Sequence, residues 1–200
     1  MRQLLIATKN AHKTEEIRAI LGDAWTISDL TALPEHGSPE ETGSTFAENA
    51  AIKAVAASRV FPGLVLADDS GLEVDALDGA PGVFSARYAG PNATDTQNRA
   101  QLLRELAACG AADRRATFRC VIALARSGAL VASFEGSTEG RITTRERGTT
   151  GFGYDSLFLP DRHTETFGEL AAATKNAISH RAAALEQVKV ALRVTAIPYR

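Results

Sequence analysis

The 200-residue chain lacks the features that identify several classes of protein. Its formal net charge is only −2, from 22 basic and 24 acidic residues, so it has no electrostatic footprint for nucleic acid or for an anionic membrane surface. No apolar run reaches the roughly 20 residues of a membrane-spanning helix. The apolar stretch within residues 1–7 is too short, and is followed too soon by polar residues, for a secretory signal peptide. We therefore expect a cytoplasmic protein with no nucleic-acid and no membrane partner.

Aromatic residues and cysteines are also scarce. Eight Phe, three Tyr and one Trp disfavour an RNA-binding module that stacks bases on aromatic rings. Cys109 and Cys120 have no metal-ligand spacing, and we expect both to be small buried side chains rather than a disulfide or a catalytic thiol. What the chain does have is 44% hydrophobic residues, enough for one sizeable core. With no internal repeat and no long linker, the prediction is a single domain over residues 1–200, with two lobes.

Strand-like and helix-like segments alternate along the chain, which predicts the α/β class. Predicted strands cover 4–8, 64–67, 72–76, 117–125 and 130–134, the third being half-exposed because apolar and acidic residues alternate in it. Predicted helices cover 13–21, 45–59, a segment that begins at Thr94 and a last segment that Ser179 caps. Capping boxes, Thr45 with Glu48 and Thr94 with Gln97, open two of them. Residues 31–45 and 79–91 are predicted loops.

The apolar run 64–67 is followed at once by two aspartates, Asp68 and Asp69. Pro62-Gly63 and Gly71 bound this region, which predicts a short buried strand that ends at residue 67. In open α/β sheets, ligands bind beyond the carboxyl ends of the strands. Adjacent carboxylates repel each other unless a cation, a proton or solvent relieves them. A divalent metal that holds phosphates explains the pair, and a solvated turn is the alternative.

Two further segments could bind phosphate or metal. Residues 8–13, Thr-Lys-Asn-Ala-His-Lys, lie between a predicted strand and a predicted helix, where backbone N–H groups, a hydroxyl and an ammonium suit a polyphosphate. The glycines of a Walker A loop are missing, and an ordinary turn is the alternative. Residues 40–43 are acidic, and Asn49 and Lys53 share one face of the helix behind them. They could complete the cation site, or form a solvated acidic loop beside a surface lysine.

Two segments could bind a base. In Gly151-Phe152-Gly153-Tyr154-Asp155, the glycines leave the ring of Phe152 open to a stacked planar base, and a hydrophobic plug in a turn is the alternative. Lys175, His180 and Arg181 stand where the last predicted helix begins, and cations there oppose the helix dipole. Misplaced charge of this kind indicates a ligand, and a solvated basic turn is the alternative.

Taken together and in this order, these segments resemble the inosine/xanthosine triphosphate pyrophosphatase family, also called the Ham1-like family. The matching stretches are T-K-N-A-H-K at 8–13, E-E-T-G-S-T-F-A-E-N-A at 40–50, L-A-D-D-S-G-L-E-V-D-A-L at 66–77, G-A-P-G-V-F-S-A-R-Y-A-G at 79–90, G-F-G-Y-D at 151–155 and A-I-S-H-R at 177–181. Lys9 and His12 stand where the family usually has a small residue, and Ser156 stands where it usually has proline.

The resemblance implies an inosine triphosphatase-like α/β fold with a long central mixed β-sheet flanked by helices, a substrate cleft between two lobes, and a homodimer. It implies hydrolysis of the purine nucleoside triphosphates ITP, dITP and XTP to the monophosphate and pyrophosphate, which cleanses the nucleotide pool. Two rival interpretations are a Maf-like nucleotide pyrophosphatase of other base preference and a non-catalytic nucleotide sensor. The 151–155 and 179–181 segments disfavour the first, and the presence of all the carboxylates disfavours the second.

On this resemblance, Mg²⁺ bridges the triphosphate and the carboxylates of Asp69 and of either Glu40 or Glu41. Lys53 neutralises charge, and Asp69, supported by Asp68, deprotonates the water that attacks the α-phosphorus. The predicted substrate-binding residues are Thr8, Lys9, Asn10, Ala11, His12, Lys13 and Ser70 for the phosphates, and Phe152, Gly153, Tyr154, Asp155, Lys175, His180 and Arg181 for the base. Lys175, His180 and Arg181 would donate hydrogen bonds to a 6-keto group and so reject adenine.

Overall fold

The computed structural model describes residues 2–33, 39–110 and 112–194. Its strands are β1 (Arg2–Ile6), β2 (Trp25–Asp29), β3 (Leu64–Val74), β4 (Arg115–Arg126), β5 (Ala129–Ile142) and β6 (Phe158–Pro160). Its α-helices are α1 (Ala11–Leu21), α2 (Phe46–Ser58), α3 (Asp95–Ala108), α4 (Ala172–Ile178) and α5 (His180–Val194). Short 3₁₀ turns include Leu30–Ala32 and Gly82–Arg87. Among these residues, no helix is both long enough and apolar enough to cross a membrane.

The strands form one six-stranded sheet in the order β2-β1-β3-β4-β5-β6. Strand β1 pairs in parallel with both β2 and β3, whereas β5 pairs antiparallel with β6. The sheet is therefore mixed, and helices alternate with its first strands as the α/β class requires. This confirms the predicted fold class.

The chain divides into two compact units. Unit 1 comprises Met1–Asp69, Cys120–Gly136 and Arg181–Arg200, and unit 2 comprises Ser70–Arg119 and Ser137–His180. Strands β3, β4 and β5 each contribute residues to both units. Because the boundary in β3 falls between Asp69 and Ser70, the two aspartates belong to unit 1.

Unit 1 has an aliphatic core to which β1, β3, β4, α1 and α5 contribute. The apolar face of α5 is buried there, through Ala182, Leu185, Val188 and Leu192. Cys120 is buried in the same core, as expected. Cys109 is exposed at the end of α3, so the expectation that both thiols are buried is wrong for it.

Unit 2 has an aromatic core. The rings of Phe118 and Phe158 meet edge to face, with centroids 4.7 Å apart, and Phe158 lies 5.1 Å from Phe167. Leu102 and Leu106 of α3 pack into this core, and Leu103 is partly buried against it. The core therefore joins α3, β6 and the first part of β4 in unit 2.

Both predicted capping boxes are confirmed, at Thr45 with Glu48 and at Thr94 with Gln97. Other boundaries differ from prediction. Strand β3 does not end at residue 67 but runs through both aspartates to Val74, which joins the two strands predicted there. Helix α1 begins at Ala11 rather than at residue 13, because Asn10 caps it. The predicted loop 31–45 includes residues 34–38, which lie outside the described residues.

Candidate active site

Asp68 is enclosed within unit 1. Its Oδ2 accepts hydrogen bonds from Nε of Arg181 and from the thiol of Cys120, each at 3.0 Å, and its Oδ1 forms an ion pair with the ammonium of Lys13. Burial alone would raise the pKa of Asp68, but Arg181 and Lys13 lower it well below its ordinary value. Asp68 therefore stays ionised and is surrounded by groups of the protein itself.

Arg181 belongs to the same group of charges. We call Lys13, Glu16, Asp68 and Arg181 the ion network. Arg181 is fully buried at the start of α5, and its second ion-pair partner is Glu16 of α1. Burial favours the neutral guanidine, yet Asp68 and Glu16 raise the pKa of Arg181 above its ordinary value. The predicted base donor is thus bound to two carboxylates of unit 1, whereas Lys175 and His180 lie in unit 2.

Asp69 has a different set of partners, since successive side chains of a strand point to opposite faces. The ammonium of Lys53 lies 2.6 Å from Oδ1 of Asp69 and 2.9 Å from Oε1 of Glu41. Burial raises the pKa of Asp69, and although Lys53 opposes this, the nearby Glu41 adds to it. Asp69 is therefore a better proton acceptor than an ordinary aspartate. We call Glu41, Lys53 and Asp69 the charged cluster.

The loop before α2 places Glu41. The Thr45–Glu48 capping box starts the helix, and the side chain of Asn49 accepts a hydrogen bond from the Gly43 amide at 2.8 Å. A Cβ atom on Gly43 would lie 2.6 Å from that of Glu48, so the loop can approach the helix only with glycine there. Asn49 and Lys53 thereby act from one helical face, as their spacing predicts.

The charged cluster fits a hard divalent cation. Two carboxylates converge on one ammonium there, which leaves a net negative charge, and Mg²⁺ takes one or two protein carboxylates together with water and phosphate oxygens. Among the described residues, no three His, Cys, Asp or Glu side chains form a metal-binding group. Of the two predicted glutamate ligands, Glu41 is in the cluster and Glu40 is exposed.

The predicted phosphate segment, residues 8–13, leads into the first turn of α1. Oδ1 of Asn10 accepts hydrogen bonds from the amides of His12 and Lys13, at 3.0 and 3.3 Å, and Oγ1 of Thr8 accepts one from the Asn10 amide at 3.1 Å. These bonds satisfy the first amides of the helix, which would otherwise lack partners. The remaining predicted residues differ in exposure: Lys9, Ala11 and His12 are exposed, and Ser70 is half-buried.

In unit 2, the predicted base-binding segment is tied to a buried ion pair. We call residues 151–155 the aromatic loop. Oδ2 of Asp155 accepts hydrogen bonds from the Phe152 amide at 2.8 Å and from Nζ of Lys175 at 2.6 Å. Both charged side chains are only 5% exposed. A Cβ atom on Gly151 would lie 2.1 Å from that carboxylate, so glycine is required there.

Two aromatic rings lie beside the lysine of this ion pair. Nζ of Lys175 lies 5.1 Å from the ring centroid of Phe152 and 5.7 Å from that of Phe167, within the range of cation–π attraction. The imidazole of His180 stacks on Phe118, with centroids 4.7 Å apart. Tyr154 is buried and donates its hydroxyl to the carbonyl of Ser85 at 2.9 Å.

Sequence reasoning missed several partners of these residues. Glu16 belongs to the ion network and Cys120 contacts it, and Asp95 and Arg99 of α3 hold the aromatic loop. The one local signal is the spacing of Asp95 and Arg99, which puts both on one face of α3. Lys175 lies on a helix, α4, that was not predicted, so it is a buried helical residue and not part of a solvated turn.

Comparison with known proteins gives consistent results. The model of the Ham1 family matches residues 4–191. The dITP/XTP pyrophosphatase of Halalkalibacterium halodurans is 50% identical over 189 residues, which cover 94% of this chain and 97% of the relative. That of Bacillus licheniformis is 46% identical over 196 residues, 96% of this chain and 98% of the relative.

Solved structures agree with these matches. A HAM1 protein from Coxiella burnetii superposes with a TM-score of 0.88 at 43% identity, covering 98% of this chain and 100% of the other. The Ham1 protein of Staphylococcus aureus gives a TM-score of 0.85 at 38% identity, covering 96% and 98%.

Proposed function

Since the chain belongs to the Ham1 family, we propose that it hydrolyses non-canonical purine nucleoside triphosphates to the nucleoside monophosphate and pyrophosphate. The substrate class is ITP, dITP and XTP, and relatives that are 46–50% identical carry the name dITP/XTP pyrophosphatase. The structural observation that carries the proposal is the charged cluster, in which Asp69 and Glu41 share the ammonium of Lys53.

The chemistry follows from the charges of that cluster. Asp69 accepts a proton from water, the water oxygen forms a bond to the α-phosphorus, and the bond from that phosphorus to the bridging oxygen breaks, so that pyrophosphate leaves. Glu41 and Asp69 would hold a Mg²⁺ ion, which when bound supplies positive charge to the phosphates. Lys53 adds a fixed positive charge beside them.

Lys13 would bind the remaining phosphate charge. Its ammonium is anchored on Asp68, and it lies in the first turn of α1, where the positive end of the helix dipole also favours anions. Thr8 and Asn10 hold the backbone of this turn. Because Arg181, which is itself paired with Glu16, holds Asp68 in turn, we assign Arg181 to the support of Lys13.

Base choice would depend on the donors of unit 2. Hypoxanthine and xanthine present a 6-keto acceptor, whereas adenine presents a 6-amino donor. Lys175 and His180 supply donors, and Phe152 supplies a ring on which a base can stack. Bound adenine would set its amino group against these donors, and a buried mismatch of that kind is strongly unfavourable.

The family resemblance also leads us to propose a cytoplasmic homodimer. Light scattering of the purified protein tests the assembly: a mass near twice the 21.2 kDa of one chain is expected. A mass near that of one chain would contradict it.

Pyrophosphate release tests the function. We expect the wild type, with Mg²⁺, to release pyrophosphate from ITP, dITP and XTP but hardly from ATP. Asp69→Asn should lose activity by about 100-fold or more, since a general base contributes that much. Asp161→Asn, at an exposed position, is the control and should match the wild type. Tight ITP binding by the wild type without pyrophosphate release would instead identify a nucleotide sensor.

A further inference from the structure

The two peptide groups that flank the Cα of Phe152 are both held by side chains. The Phe152 amide donates to Asp155 at 2.8 Å, and the Gly153 amide donates to Oδ2 of Asp95 at 2.6 Å. The carbonyl of Gly153 accepts a hydrogen bond from Nη1 of Arg99 at 2.9 Å. Both polar backbone groups of Gly153 are thus bound by residues of α3.

Asp95 and Arg99 reach one glycine because of their place on α3. They are four residues apart, on one face of the helix, and the Thr94–Gln97 capping box sets where its first turn begins. Arg99 is itself held, since Nη2 donates to Oγ1 of Thr96 at 3.1 Å and Nε lies 2.9 Å from a carboxylate oxygen of Glu146. The guanidinium is therefore a fixed support rather than a free side chain.

A fixed support matters at this point of the chain. Gly153 has φ of +60° and Gly151 has φ of +79°, so the backbone on both sides of Phe152 has the conformational freedom of glycine. Anchoring the peptide groups before and after Phe152 limits both of its backbone dihedrals. The Cα atom that carries the ring is thereby held in place. Gly151 and Gly153 allow the loop its shape, and the contacts from outside the loop hold that shape.

We propose that Asp95 and Arg99 are positioning residues that clamp Gly153 and so hold the ring of Phe152 ready for the purine base. This rests on the proposed function and adds two residues to it. Both residues belong to unit 2, and we assign neither of them a contact with the reacting atoms. Loss of the clamp should weaken binding of the base and leave binding of pyrophosphate unchanged.

Hydrogen exchange of residues 151–155 tests the clamp without any substrate. In Asp95→Ala and Arg99→Ala, we expect the Gly153 segment to exchange at least about tenfold faster than in the wild type, because a hydrogen bond to a charged group is lost. Arg104→Ala changes an exposed arginine of the same helix and should leave exchange unchanged. Asp95→Asn keeps an acceptor for the Gly153 amide and should restore most of the protection.

Inhibition measurements test the consequence for the base. In both alanine variants, the inhibition constant of inosine monophosphate should rise about tenfold, while that of pyrophosphate stays within twofold of the wild type. KM for ITP should rise more than kcat falls. If an alanine variant does not fold, Arg99→Gln removes the forked donor with less loss of side chain and gives the same comparison.

Three results would overturn the proposal. These are unchanged exchange of residues 151–155, an inosine monophosphate constant within twofold of the wild type, or equal weakening of inosine monophosphate and pyrophosphate. The activity of the wild type tests the proposed function separately from the clamp. If the wild type releases no pyrophosphate from ITP, the proposed function is wrong. The exchange data still decide whether α3 clamps the aromatic loop.

Discussion

In unit 1 the ammonium of Lys53 is shared by two carboxylates, whereas in unit 2 the ammonium of Lys175 is shared by one carboxylate and two aromatic rings. The first arrangement has one positive and two negative charges and so a net charge of −1. The second has one of each and is neutral. The two lysine–aspartate pairs therefore differ in the net charge of their surroundings, and the remaining neighbours of each lysine cause that difference.

The excess negative charge of the charged cluster attracts a cation, whereas it is burial that disfavours ionisation of Asp69, against the opposing effect of Lys53. The neutral, ring-lined pair of Asp155 and Lys175 suits an uncharged planar group, because it offers a donor and apolar faces without a net charge. We infer a division of labour in which unit 1 performs the chemistry on phosphate and unit 2 selects the base. Each variant below changes one side of this comparison.

Replacing the lysine of unit 1 should have the largest effect. Lys53→Met leaves Glu41 and Asp69 without their shared ammonium, and we expect kcat for ITP to fall by about 1,000-fold, as for other fixed charges that act on phosphates. The ratio of kcat/KM for ITP to that for ATP should stay within threefold, since unit 2 is unaltered. Lys189→Met, which removes only an ion pair with Glu186 on α5, is the control. A kcat within tenfold of the wild type would contradict the assignment.

The two adjacent aspartates of unit 1 should respond in opposite ways. Asp68→Asn removes the charge that Arg181 and Lys13 surround, and we expect the free energy of unfolding at pH 7 to fall by about 3 kcal/mol. Asp69→Asn should leave this free energy unchanged or raise it, because burial already disfavours its charge. Urea unfolding of both variants measures the difference, and equal losses would contradict it.

The pH dependence of that difference has a definite sign. The pKa of Asp68 is lowered on folding, so its contribution is present above the unfolded pKa of about 3.9 and is lost as the pH falls below it. The pKa of Asp69 is raised on folding, so its charge costs stability once the pH exceeds the folded pKa. The stability of Asp69→Asn should therefore converge on that of the wild type as the pH is lowered from 7 to 3.5, whereas the deficit of Asp68→Asn should only begin to shrink below about pH 3.9.

What could be read from the sequence in these regions depends on the distance between partners along the chain. The capping boxes and the face shared by Asn49 and Lys53 involve residues three or four apart, and the structure has them as predicted. The partners of Asp68 lie 52, 55 and 113 residues away, and only the fold brings them together. The predicted strand end at residue 67 was wrong for this reason: buried cations allow the strand to continue through both carboxylates.

Helix α4 shows a second limit. It has only seven residues, and Ala171 at its N-cap provides no side-chain hydrogen bond, so neither length nor capping indicates it. Because Lys175, His180 and Arg181 are close in sequence, the sequence predicts that they bind the base together. In the structure, Lys175 of α4 forms an ion pair with Asp155 in unit 2. Arg181 of α5, a separate helix, forms an ion pair with Asp68 in unit 1.

Replacing the lysine of unit 2 should change selectivity instead of chemistry. Lys175→Met removes the donor to Asp155 and leaves that buried carboxylate with the Phe152 amide. We expect the preference for ITP over ATP, as a ratio of kcat/KM values, to narrow by about tenfold or more. The kcat for ITP should fall less than in Lys53→Met. An unchanged ratio, with Lys189→Met as the control, would contradict the role of Lys175 in base choice.

The smallest effect is expected at the ring of the aromatic loop. Phe152→Leu keeps an apolar side chain but loses the flat surface for stacking, and we expect KM for ITP to rise about fivefold, toward the lower end of what base stacking contributes. Inhibition by pyrophosphate should not change, because Lys13, Lys53 and the two carboxylates proposed to hold the metal belong to unit 1. Phe84→Leu, at a ring that is 57% exposed, is the matched control. If pyrophosphate inhibition weakens as much as KM rises, Phe152 acts on the phosphate groups as well, and the separation of chemistry from base choice fails.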